Sequence, residues 1–153
     1  MTAKPFSAIY NSGLGRLWVT GAGDRISGIA LVAGKAARKG KLPQSVRRSF
    51  DLYFQGKPAT RARFALEGTP FQKKVWQALA TIPWGDTVSY AQLAHRVKRP
   101  RAVRAVARAL GQNPVPVLLP CHRVVGSDGS LTGYAYGLKK KAWLLSHEKR
   151  RRG

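Results

Sequence analysis

The sequence reads as an α+β protein: a small N-terminal domain of sheet plus helix with its linker over residues 1–67, then a mainly helical domain of winged helix-turn-helix type over residues 68–153. Three observations carry that reading. Residues 8–32 hold short apolar runs separated by glycine-rich turns, the pattern of hairpin strands. Composition changes at Gly68, where Thr69 and Pro70 read as the cap and first residue of a helix. Between Thr87 and Leu110 a short helix, a tight turn and a second helix follow one another.

In the first half, Ile9-Tyr10 and Leu17-Trp18-Val19 flank the turn Asn11-Ser-Gly-Leu-Gly15, and residues 26–32 give a third strand after Gly21-Ala-Gly-Asp24. Residues 33–42 form a basic connection without periodicity. Pro43 suits a helix N-terminus, and Val46, Phe50, Tyr53 and Phe54 recur at helical spacing until Gly56 ends the run. Residues 57–67 read as loop with one edge strand around Phe64, Ala65 and Leu66. Nothing in this half carries chemistry.

In the second half, Phe71, Val75, Trp76 and Leu79 share one helical face until Ile82-Pro-Trp-Gly85 breaks it. A short helix from Thr87, capped by Ser89, carries Ala91, Leu93 and Ala94. After a turn at 97–99, Pro100 opens a second helix through Leu110, closed by Gly111. Its apolar side is Val103, Val106, Ala107 and Leu110, while Arg101, Arg104 and Arg108 stand at i, i+3 and i+7 on another face. An arginine row on a slim, alanine-rich helix suits groove reading or phosphate tracking; the plainer alternative is a solvated basic face. Residues 125–131 read as a hairpin turn, a wing beside the two helices. Residues 133–137 form a glycine-bounded loop holding Tyr134 and Tyr136. A last helix over 138–148 buries Leu138, Ala142 and Leu145, with Trp143 or Leu144 at its margin, and the basic tail 149–152 is frayed.

Charge narrows the partners. Lys and Arg number 28 against six acidic residues, a formal +22, so the chain is drawn to polyanions, nucleic acid before an anionic membrane surface. No apolar run approaches membrane-spanning length and no signal-peptide succession is visible, so the expectation is a soluble intracellular protein. The single cysteine excludes an internal disulfide and a zinc site built on several thiolates. No metal and no cofactor is expected.

That cysteine, Cys121, lies in Asn113-Pro-Val-Pro-Val-Leu-Leu-Pro-Cys-His-Arg-Val124, where Pro114, Pro116 and Pro120 predict a stiff, extended run that delivers a thiol. A lone cysteine is more often a packing residue. The polar Cys-His-Arg following an apolar run favours a nucleophile instead. A reactive thiolate needs a base or a positive field, which His122 supplies by type although adjacency does not imply contact. Glu148 is the candidate acid to orient it. Asn113 suits side-chain bonds that pin the turn, and Tyr90 and Tyr134 offer a phenol donor and a stacking wall. His95 and His147 read as structural.

The same run resembles the active-site signature of the O6-alkylguanine-DNA alkyltransferases (methylated-DNA–protein-cysteine methyltransferases). Gly68-Thr-Pro-Phe-Gln-Lys-Lys-Val-Trp76, Ile82-Pro-Trp-Gly-Asp-Thr-Val-Ser-Tyr90, Pro100-Arg-Ala-Val-Arg-Ala-Val106, Gly133-Tyr-Ala135 and Trp143-Leu-Leu-Ser-His-Glu148 resemble further blocks in order and spacing. The N-terminal half resembles the family only loosely, through Leu14-Gly15 and Tyr53-Phe-Gln-Gly56.

The resemblance implies a cofactor-free DNA repair in which Cys121 takes the alkyl group from O6-alkylguanine, and also from O4-alkylthymine, and stays alkylated, so each molecule acts once. It implies that His122 draws the thiol proton through a water, that Glu148 orients His122, and that Asn113 and Tyr90 complete the catalytic set, with Tyr90 protonating the departing base. Tyr134 and the amide of Ala135 would shape the substrate pocket, with Arg123 and Val124 placed beside them. Arg104 would enter the base stack while Arg101, Arg108, Ala102 and Ala105 lie along the minor groove of duplex DNA. A monomer is implied, cytoplasmic and nucleoid-associated, or nuclear in a eukaryote, with no membrane partner. Two positions depart from the family pattern: Lys98 replaces a glycine of the interhelical turn, and Tyr136 a common glycine of the pocket loop. A winged-helix DNA-binding protein with an inert cysteine is the alternative, and a thiol hydrolase using Cys121, His122 and Glu148 ranks behind it.

Overall fold

Alternating apolar residues build a sheet in the first part of the chain, of which the computed structural model describes residues 3–34, 40–57 and 62–150. Strands β1 (Pro5–Ser12), β2 (Gly15–Ala22) and β3 (Arg25–Val32) form an antiparallel meander, and β4 (Arg63–Phe64) joins its edge parallel to β3. Ala8 and Tyr10, Leu17 and Val19, and Ile26 and Ile29 bury one face. Helix α1 (Gln44–Phe54) turns Val46, Phe50 and Tyr53 inward, and Phe50 stacks on Tyr10 at 5.1 Å. Burying Val46 and Phe50 stabilises this unit by about 1.5–3 kcal/mol each. The readings for 33–42, 57–67 and the tail fall partly on residues 35–39, 58–61 and 151–153, outside those described.

The chain divides into the units Met1–Glu67 and Gly68–Gly153. In the second, α2 (Pro70–Leu79) and α3 (Tyr90–Arg96) each begin at a reciprocal capping box, Thr69 with Gln72 and Ser89 with Gln92. The side chains of Thr69 and Ser89 accept from the N–H groups of Gln72 and Gln92 at 3.1 and 3.0 Å, each cap worth about 1 kcal/mol. Helix α4 (Val103–Gly111) packs on α2 and α3, and the buried Trp76 donates its indole N–H to the Ala109 carbonyl at 2.8 Å. Strands β5 (Val88–Ser89) and β6 (Val124–Val125) pair in parallel. That pairing brings the start of α3 beside the segment that follows the cysteine. Helix α5 (Leu138–Arg150) completes the unit. Among the described residues no helix is long and apolar enough to cross a membrane.

Several local expectations are corrected. Residues 88–89 are strand, so α3 starts at Tyr90. The second helix of the pair starts at Val103: Pro100 and Arg101 are spent in a turn closed by the Ala102 N–H on the Arg99 carbonyl at 2.9 Å, and Ala102 has a non-helical backbone. Its buried side is Val106, Ala109 and Leu110, and Ala107 is exposed. The hairpin wing at 125–131 has no return strand, because β6 is taken by β5 and a turn follows it. The inward face of α5 is Lys141, Leu144, His147 and Glu148, while Leu138 is 48% exposed and Ala142 is outside. Two of those inward positions are charged, so an apolar count picks the wrong face.

The turn between α3 and α4 keeps a glycine-type shape with a lysine in it. Lys98 has φ 60°, its N–H reaches the His95 carbonyl at 2.9 Å, and the Arg99 N–H reaches the Ala94 carbonyl at 2.9 Å. This is a Schellman closure with Lys98 at the left-handed position. A β-carbon there costs roughly 1–2 kcal/mol, partly offset by glycine's greater unfolded-state entropy. Lys98→Gly is therefore expected to raise stability by about 0.5–1 kcal/mol in denaturant titration.

Candidate active site around Cys121

Asn113 follows α4 and closes the loop that presents the thiol. Its side-chain N–H donates to the Leu119 carbonyl at 2.9 Å, and its carbonyl accepts from the Val115 N–H at 3.0 Å. The prolines do not make an extended run. Residues 114–119 are bends and turns, with the Leu119 N–H on the Val115 carbonyl at 3.0 Å. Val117 adopts φ 77°, a left-handed conformation rare for a β-branched residue. Pro120 (φ −82°, ψ 67°) makes an inverse γ-turn in which the Cys121 N–H donates to the Leu119 carbonyl at 2.8 Å. Cys121 then opens a 3-10 turn, Cys121–Arg123.

Cys121 is half-buried on a cavity of about 260 Å³ that Tyr90, Asn113, Tyr134, Ala135 and Tyr136 also line. Burial pushes the thiol pKa up, while the Asn113 hydrogen bond, the Lys141 charge and a backbone N–H pull against it. Tyr90 donates its hydroxyl to the Thr132 carbonyl at 2.7 Å. Tyr134 meets Tyr136 edge-on at 6.1 Å, and its buried hydroxyl has no hydrogen-bond partner among the described residues. Burial, then the Cys121 charge, raises the Tyr134 pKa. Ala107 and Gly111 of α4 also line the cavity, and Arg104 lies on the same helical face at i, i+3, i+7. Arg104, Ala105 and Arg108 are exposed on α4, whereas Arg101 (exposed) and Ala102 (half-buried) precede the helix.

Behind the cavity, His122 Nε2 lies 2.5 Å from Glu148 Oε2, and Arg123 Nε donates to Glu148 Oε1 at 2.7 Å. His122 and Glu148 are fully buried. Burial lowers the His122 pKa against the pull of Glu148, so the ring is neutral. Burial raises the Glu148 pKa, but the hydrogen bonds from His122 and Arg123 and the Arg123 charge outweigh it and hold the carboxyl at about 2. Nε2 thus carries the proton and donates to the carboxylate. The other nitrogen, Nδ1, has no partner among the described residues, so His122 makes no hydrogen bond to the thiol there.

Arg123 and Val124, placed beside the pocket by the sequence, are core residues instead. Arg123 is committed to Glu148 and, through Nη1, to the Ile82 carbonyl at 2.6 Å. Val124 is fully buried where β6 pairs with Val88. Sequence reasoning missed Lys141, whose ammonium donates to the carbonyls of Val124, Thr132 and Gly133 at 2.6, 2.7 and 3.2 Å. Within Lys139-Lys140-Lys141 nothing but its i, i+3, i+7 register with Leu144 and Glu148 distinguishes it.

Glu148 titrates at about 2, below its ordinary 4.5, so its ion pair contributes stability that is full above 4.5 and lost as pH falls through about 2. Glu148→Gln is expected to remove that acid limb from a stability-versus-pH series and to lower stability at neutral pH by about 3–5 kcal/mol, since Arg123 stays buried without its counter-charge.

Comparisons with known proteins converge. The family model described as "6-O-methylguanine DNA methyltransferase, DNA binding domain" matches residues 70–150, and the "ribonuclease-like domain" of the same description matches 6–67. The methylated-DNA–protein-cysteine methyltransferase of Haemophilus influenzae is 40% identical over 97% of this chain and 88% of its own length. A crystal structure of Mycobacterium tuberculosis O6-methylguanine methyltransferase superposes with a TM-score of 0.85 at 33% identity, covering 97% of this chain and 95% of that one. A structure of the same organism's protein in complex with DNA gives 0.84 at 36% identity, covering 94% and 92%.

Proposed function

The chain belongs to the 6-O-methylguanine DNA methyltransferase family, and on that premise we propose that it repairs DNA by direct reversal, moving the alkyl group of O6-alkylguanine onto Cys121. The observation that carries the proposal is the placement of the chain's one cysteine on a cavity that shares a face of α4 with the exposed Arg104, backed by the buried His122–Glu148–Arg123 set. A non-catalytic binding protein has no use for that arrangement.

The chemistry follows from the residues. His122, its Nε2–H held on Glu148, has its lone pair free at Nδ1 and takes the thiol proton through a bridging water. Sulfur attacks the alkyl carbon, the S–C bond forms as the C–O6 bond breaks, and the electron pair leaves with the guanine. Tyr90 turns from Thr132 to donate its proton to a ring nitrogen, so the base departs neutral. The thioether is stable and no step regenerates the thiol, so each molecule acts once.

A stacked base cannot reach a thiol in a cavity, so the target nucleotide must be turned out of the duplex. Arg104 takes its place in the stack. The small Ala102 and Ala105 let this edge approach the minor groove while Arg101 and Arg108 hold phosphates. The protein works as a monomer on duplex DNA, in the nucleoid or nucleus, and accepts O4-alkylthymine as a second substrate. Tyr136, on the cavity, limits the size of alkyl group admitted.

Intact mass spectrometry tests the reading: incubation with O6-methylguanine duplex should add a single methyl to Cys121 and then stop, and Cys121→Ala should take none. Continued turnover would refute it. Arg104→Ala is expected to slow repair of duplex by about tenfold or more while leaving transfer from the free modified base nearly unchanged, because only the duplex must be unstacked. Equal losses on both substrates would make Arg104 structural.

A further inference from the structure

No acidic residue stands between Asp86 and Asp128, yet Arg96, Lys98, Arg99, Arg101, Arg104 and Arg108 crowd into one short stretch of it. All six are exposed. Arg101, Arg104 and Arg108 have roles in the function proposed above, and Arg96 donates through Nη1 to the Thr81 hydroxyl at 3.0 Å. Lys98 and Arg99, in the turn between α3 and α4, remain without one. The shape of the turn gives no reason for a lysine. Its left-handed position, φ 60°, favours glycine, and backbone strain of this kind gathers at sites that bind. A cation near the end of α3 gains from the helix dipole, but His95 and Arg96 already stand in its last turn. Among the described residues Lys98 makes no ion pair and its ammonium makes no hydrogen bond. Arg99 does not swing away from that charge. Its Nη1 donates to the Lys98 carbonyl at 3.1 Å, which keeps a guanidinium against the lysine's own backbone. Two neighbouring cations repel unless an anion joins them.

Resting on the DNA-repair reading, we infer that Lys98 and Arg99 form a phosphate clamp, which grips the duplex backbone beside the groove that α4 enters. Two closures fix the clamp: the Lys98 N–H on the His95 carbonyl and the Arg99 N–H on the Ala94 carbonyl, both at 2.9 Å. Lys98 offers a point charge and Arg99 a planar fork. The next turn, closed by the Ala102 N–H on the Arg99 carbonyl at 2.9 Å, sets Arg101 on the far side of Pro100. Cations therefore flank the corner and serve successive phosphates of one strand. Such contacts fix position and carry no sequence information, which suits a protein that must act on a lesion in any sequence. They hold α4 in its groove while the target base is turned out.

The test sets Lys98→Gly, Lys98→Asn and Lys98→Arg beside the natural protein, on lesion-free duplex and on duplex holding O6-methylguanine. Glycine and asparagine accept the left-handed backbone without the charge, and arginine keeps the charge. Lys98→Gly and Lys98→Asn are expected to bind lesion-free duplex about three- to tenfold more weakly at low salt, with the slope of log affinity against log salt shallower by about 0.9. Methyl transfer to Cys121 at limiting duplex should slow by the same factor. Lys98→Arg should keep the natural affinity and slope. The natural slope in Lys98→Gly overturns the inference. So does a loss confined to Lys98→Gly, which would trace to a looser turn, and so does a loss of transfer without a loss of binding. Binding to lesion-free duplex involves no alkyl transfer, so the clamp can fail while the natural protein is still methylated on Cys121, and it can hold in a chain that only binds.

Discussion

The buried carboxylate of Glu148 is the interaction on which the second unit depends. It fastens α5 to the 3-10 turn through two side chains at once, and its backbone carbonyl accepts the Trp84 indole N–H at 2.9 Å. A buried ion pair is seldom a net source of stability, because removing both charges from water offsets their attraction. Its value here lies in specificity. One oxygen fixes the tautomer of His122 and the other satisfies Arg123, so the ring can stay neutral without stranding a carboxylate. Arg123 makes that division possible: with Glu148 ionised by the guanidinium, the imidazole need not be charged to keep the pair together.

This arrangement separates the basic residues into two populations. Arg123 and Lys141 are interior cations, and backbone carbonyls take part of the load in each case. Arg104 and Arg108 are exposed and keep their charge in solvent. Exposed charge of this kind governs encounter and salt dependence more than fold, and a formal +22 opposes compaction through self-repulsion. Stability must come from apolar burial such as Trp76, Leu79, Leu93 and Leu144, while full bonding of the interior charges keeps their cost low.

Local signals made much of the fold legible, and non-local ones hid the rest. Thr69 and Ser89 announce their helices because a cap and its partner lie three residues apart and need nothing else from the fold. Pro100 misleads because proline suits a turn as well as a first helical residue, and here the turn claims it. The inward face of α5 was misread for a different reason: Lys141 and Glu148 are acceptable inside only because carbonyls, His122 and Arg123 lie far off in sequence. The same remoteness hid the role of Arg123. Cys121, His122 and Glu148 were legible as candidates by residue type, but which His122 nitrogen faces Glu148 is fixed only by the packed helix.

The loop carrying Cys121 shows why composition alone overstates stiffness. Prolines restrict φ, yet they permit the succession of turns that the chain adopts between Asn113 and Cys121. A left-handed backbone at a β-branched residue costs on the order of 1–3 kcal/mol and persists only where its surroundings overdetermine it. Val115, Val117 and Leu119 are all buried, and Asn113 bonds the loop on both sides of Val117. The strain is therefore held by packing and by a single amide side chain. A thiol presented this way has little freedom to follow its substrate. The in-line displacement proposed for Cys121 rewards that rigidity, because small errors of alignment between sulfur, alkyl carbon and O6 cost far more rate than the loop's strain costs stability. Under the proposed alkyl transfer, the fold puts its precision on the acceptor and leaves the mobility to the base.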